Sequence, residues 1–91
     1  MKLQDALFNW LQIRVVSEAR EDDNAARETM DFFETILRED HNLSHFAIVQ
    51  TDDSMYVLDY VHEGVSKKQM FDRISVEALL HDINSNPKYN S

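Results

Sequence analysis

His41 and His45 are the residues whose spacing comes nearest to chemistry in this chain, with Asp40 just ahead of them. On a helix, four-residue spacing puts two imidazoles on one face, where they can share a metal ion. The segment around them, Asp40-His41-Asn42-Leu43-Ser44, reads instead as the end of a helix and the approach to a strand. No motif supplies a third ligand. His62 falls beside a turn and His81 on the polar side of a helix, so all four histidines read as solvated surface groups. The acid pairs Asp22-Asp23 and Asp52-Asp53 could chelate calcium or act as paired carboxylates. Neither has the spacing of a calcium loop, and helix caps and turns account for both. The sequence therefore predicts no metal site.

Nucleophiles fare no better. There is no cysteine, which removes thiolate catalysis, zinc thiolates and disulfides together. Ser17, Ser44, Ser54, Ser66, Ser75, Ser85 and Ser91 lie in no nucleophile elbow, and one glycine leaves no phosphate-cradling loop. No catalytic residue and no cofactor is predicted, and the chain reads as a non-enzyme. A small enzyme or metal-dependent binder remains as a third reading, which would need a site assembled only in space.

Stacking of bases by Trp10, Phe8, Phe32, Phe33, Phe46, Tyr56, Tyr60 and Phe71 requires accompanying basic residues, and Lys67 and Lys68 alone supply them. The formal net charge of −8 disfavours direct nucleic-acid binding. Residues 18–40 hold nine acids against three arginines, a local net charge of −6. A solvated face explains this; a docking surface for a basic partner, or a nucleic-acid mimic, is the sharper alternative. The longest apolar runs are four residues, too short for a transmembrane helix or a signal-peptide core. With no cysteine staples, the reading is a cytosolic protein with no membrane contact.

The elements that position these residues follow from a change of hydrophobic period near Asp40. Leu3, Ala6, Leu7, Phe8, Trp10, Leu11, Ile13, Val15, Val16 and Ala19 define a first helix over about 2–20, apolar around more than half of its surface. Glu21-Asp22-Asp23-Asn24 is a capping turn. A second helix over 25–39 places Ala25, Ala26, Met30, Phe32, Phe33, Ile36 and Leu37 on one face and Arg27, Asp31, Glu34 and Arg38 on the other. Asn42 is a candidate left-handed cap.

Strands are predicted over 45–51, 55–62 and 65–71. A two-residue turn at Glu63-Gly64 sets Asp59 opposite Lys68. A last helix over 75–83 takes Ser75 as its N-cap and Ile74 with Leu79 as a hydrophobic staple. The expected fold is α+β: a helical hairpin, a three-stranded antiparallel meander and a C-terminal helix (ααβββα). Residues 1–84 form one domain and residues 85–91 a polar tail.

Three helices can cover one face of such a sheet. The face with Tyr56, Leu58, Tyr60, Phe71, Val49 and Ala47 is assigned to them. The opposite face, with Phe46, Ile48, Met55, Val57 and Met70, is the candidate interaction surface, bordered by Asp59, Lys68 and Ser66. The implied function is a small protein-interaction module, a homodimer or an adaptor or regulatory subunit. The acidic regulator is the runner-up.

Overall fold

The computed structural model describes residues 1–85, so the rest of the expected tail, 86–91, lies outside the described residues. The element order is α1 (Leu3–Ala19), α2 (Asn24–Thr35), a π-helical turn (Ile36–Asp40), β1 (Leu43–Thr51), β2 (Met55–His62), β3 (Val65–Asp72) and α3 (Arg73–Ser85). The strands form one antiparallel sheet in the order β1-β2-β3, so the ααβββα meander is the fold.

Local chemistry sets the boundaries. Asp23 caps α2, its carboxylate accepting the Ala26 N–H at 3.0 Å. Asn42 leaves the π-turn in the left-handed region at φ 56°. Asp52 builds the β1–β2 turn by accepting the N–H groups of Ser54 (2.8 Å) and Met55 (2.7 Å). Glu63 (φ 53°) and Gly64 (φ 78°) make the primed two-residue hairpin turn, and Asp59 pairs with Lys68 as the register requires. The third helix begins earlier than its sequence pattern indicates. Asp72, not Ser75, is the cap: its carboxylate accepts the Ser75 N–H at 2.9 Å and the Ser75 hydroxyl at 3.0 Å. Ile74 therefore lies inside the first turn, 81% exposed, and is no staple.

Helix α1 runs through the middle of the protein. Its N-terminal half lies on the sheet. Phe8 meets Phe71 of β3 edge-on at 5.7 Å, and Trp10 meets Phe46 of β1 edge-on at 5.1 Å. Ala6, Leu7, Trp10 and Leu11 form one core with Leu37, Leu43, Tyr56, Leu58, Tyr60 and Val76. Its C-terminal half stays beside the sheet on one side, Val15 packing on the same core and Arg14 and Glu18 lining a cleft with Ile48 and Thr51 of β1, and meets the other helices on the other. Ile13 and Val16 pack with Ala26, Met30 and Phe33 of α2 and Leu79, Leu80 and Ile83 of α3. This division explains why α1 is apolar on so much of its circumference. On α2, Ala26, Met30 and Phe33 face inward, as does Leu37 of the π-turn, whereas Ala25 and Phe32 (60% exposed) face solvent, a correction to the expected stripe.

Trp10→Ala should cost ~3–5 kcal/mol, because it empties the junction of α1 and β1 in a small core. Urea denaturation measures it; a loss below ~1 kcal/mol would contradict the central placement of α1.

Candidate protein-binding face

Alternation along β2 separates the two faces of the sheet. Tyr56, Leu58 and Tyr60 are buried under the helices, while Met55, Val57, Asp59 and Val61 point away and are partly exposed. On β3, Met70 lies opposite Val57, Lys68 opposite Asp59 and Asp72 opposite Met55. Residues directly opposite one another share a face. The outward face of β3 therefore reads Ser66, Lys68, Met70, Asp72.

Strand β1 departs from expectation. Thr51 pairs with Tyr56 and Gln50 with Val57, but Ile48 pairs with Leu58 and Phe46 with Tyr60. Val49 is the extra residue of a β-bulge. One inserted residue reverses the inside–outside parity of the residues before it, here His45 to Ile48, until a second register shift between Leu43 and His45 restores it and buries Leu43. Without the bulge, Val49 would oppose Leu58 and Ala47 would oppose Tyr60, on the helix-covered face to which the sequence pattern assigns them. With it, Phe46 and Ile48 pack against the core and are no part of the open face. Ala47 turns outward beside Asp59, and Val49 stands 47% exposed at the bulge itself.

The corrected open face joins Met55, Val57 and Met70 with Ala47 and Val49. It is bordered by the Asp59–Lys68 ion pair at 3.3 Å, and Met70 is 60% exposed. None of these apolar side chains belongs to either core cluster. Of the five residues expected on this face, the structure brings three together and removes two.

Polar groups elsewhere are tied into the frame. Trp10 Nε1 donates to Glu34 Oε2 at 3.0 Å, and Arg38 reaches the other Glu34 oxygen at 3.6 Å while lying over the Phe46 ring. Glu34 was expected on the solvated side of its helix; the lone tryptophan's need for an acceptor was the available signal. At the far corner, the Tyr56 hydroxyl donates to Glu77 at 2.6 Å. Arg73 donates to the same carboxylate oxygen at 3.0 Å and to the Asp52 carbonyl at 2.7 Å. Burial, reinforced by the Glu77 carboxylate, pushes the Tyr56 hydroxyl up to about 12. The Ala26 N–H holds the Asp23 carboxyl below its usual range, and the Ser54 and Met55 N–H groups do the same for Asp52.

The histidines do not converge. His45 lies outward opposite Val61, and His41 is half-buried with Nε2 enclosed and unpartnered among the described residues. No three histidine or carboxylate side chains group together there as a metal site would require. No helix among the described residues is long and apolar enough to cross a membrane. No protein-family model, no curated protein and no solved structure matches this chain.

These shifts fix the pH dependence of folding. Asp23 and Asp52 are depressed, so their stabilisation is present above the ordinary carboxylate range and is lost as pH falls through it. Tyr56 is raised, so its stabilisation is present below its ordinary value of 10.0 and is lost as pH climbs toward about 12. Melting temperature should therefore fall on both flanks, and Tyr56→Phe should flatten the alkaline one. An unchanged alkaline flank in Tyr56→Phe would contradict the Tyr56–Glu77 contact.

Proposed function

We propose that this chain is a small, non-enzymatic, cytosolic interaction module that binds protein through the open face of its sheet. One observation carries the reading: among the described residues all the helices lie on the other side, leaving Met55, Val57 and Met70 as an apolar strip with Ala47 and Val49 beside it. An apolar centre with a charged border is the ordinary anatomy of a protein interface. Methionine suits such a surface, because its flexible thioether adapts to what it meets. The module would serve as a homodimer or as an adaptor or regulatory subunit, without direct contact to nucleic acid.

A second reading is favoured by the acids. Glu18, Asp23 and Glu34 are engaged with Arg14, Arg20 and Arg38. Glu21, Asp22, Glu28, Asp31, Glu39 and Asp40 stand exposed on the helical side. That side would suit a basic partner, as an acidic regulator does. Binding there would weaken steeply as salt rises, whereas binding by the sheet face would not.

Adjacent residues of β2 supply the test. Val57→Glu should leave the fold intact, at a cost of no more than ~1 kcal/mol, and abolish partner binding or self-association. Leu58→Glu should unfold the protein, since it buries an unpaired charge. Phe32→Glu, on α2, should change neither. Thermal melting and binding assays of the three variants decide the matter. Unfolding of Val57→Glu, or its full retention of binding, would refute the proposal.

A further inference from the structure

The open face carries its own complement. Along β3 its outward residues run Lys68, Met70, Asp72, a base and an acid placed symmetrically about an exposed methionine. We infer that the occupant of this face is a second copy of the chain, stacked sheet on sheet about a two-fold axis along the row Gln50, Val57, Met70. This inference rests on the sheet-face reading above and names its partner.

The geometry follows from the register. An axis across the strands at that row turns β2 antiparallel to its counterpart and sets Val57 and Met70 against the same residues of the second copy. It also brings Lys68 over the second copy's Asp72, and Asp72 over its Lys68. Sheets stack ~10 Å apart, a gap that a lysine and an aspartate side chain span between them. The alternative axis, along β2, would set Asp59 against itself, and like charges face to face are repelled. Asp72 can serve twice: Oδ2 accepts from Ser75, which leaves Oδ1 for the second copy.

Charge elsewhere points the same way. The chain carries −8, and its helical side concentrates the exposed acids, so two copies repel each other there. The open face carries Asp59 and Asp72 against Lys68, far less charge than the helical side, and is the side where like molecules repel each other least. Both sheet edges discourage the competing edge-to-edge pairing. Strand β1 is kinked by the Val49 bulge, and β3 carries Lys67 and Lys68 side by side.

The size of the face sets the strength. Three strands ~4.8 Å apart and eight or nine residues long give a flat footprint of ~400 Å². That is about half of the ~800 Å² per partner of a standard interface. The dimer should accordingly be weak, populated at hundreds of micromolar protein and dissociated at low micromolar concentration.

Sedimentation equilibrium across that range tests it, with melting curves to show that each variant is folded. The parent should pass from monomer to dimer. Lys68→Glu loses both symmetric pairs and adds repulsion, and should weaken the dimer roughly tenfold or more. Asp72→Asn keeps a competent helix cap and should weaken it less. Met70→Leu should leave it unchanged. A parent monomeric at millimolar concentration would overturn the inference, as would a dimer indifferent to Lys68→Glu and Asp72→Asn. A monomeric parent whose Val57→Glu variant still loses a different protein partner would remove the second copy and keep the docking face. A monomeric parent with an indifferent Val57→Glu would remove both.

Discussion

Everything in this fold depends on α1 being buried from two directions. Its first half lies across the sheet, touching both edge strands through Phe8 and Trp10. Its second half fills the seam between α2 and α3 through Ile13 and Val16. A single helix thus joins two apolar clusters that would be too small to stand apart. The same arrangement fixes the sidedness of the sheet. With α1 held between the sheet and its fellow helices, all helical cover among the described residues falls on one face.

The polar contacts reinforce that sidedness. Glu34 holds the Trp10 indole where α1 passes β1, and Arg38 extends the contact over Phe46. At the opposite corner, Glu77 receives both Tyr56 and Arg73, tying the start of α3 to the central strand and to the β1–β2 turn. Among them, the Glu34 and Glu77 carboxylates satisfy the two buried donors, the Trp10 indole and the Tyr56 hydroxyl, which burial would otherwise leave wanting. On the outward side the Asp59–Lys68 ion pair is exposed and contributes at most ~1 kcal/mol, and Asp72 is held by its cap bonds to Ser75.

The class of fold was legible because its signals were local. The periodicity of α1, the acids before α2 and the lone glycine of the β2–β3 turn each act over a few residues, and the Asp59–Lys68 register followed from the turn. Met55, Val57 and Met70 were legible as outward residues for the same reason. What escaped was decided over longer range. The bulge at Val49 carries no glycine or proline to mark it, yet it turns Phe46 and Ile48 inward and Ala47 outward. The last helix starts at Arg73, capped by Asp72, because an aspartate and a serine three residues apart can each cap, and only tertiary placement selects between them. Phe32 looked buried by type, but it lies about 100° around the helix from the Phe33 contact.

The methionine methyl groups report most directly on the central claim, that the uncovered sheet face is the working surface and that a second copy meets it. Met55 and Met70 lie on that face, and Met30 packs among the helices. In methyl-labelled protein, raising the concentration from tens to hundreds of micromolar should shift the Met55 and Met70 resonances together and leave Met30 in place. Shifts confined to Met30, or no concentration dependence at Met55 and Met70, would contradict the account.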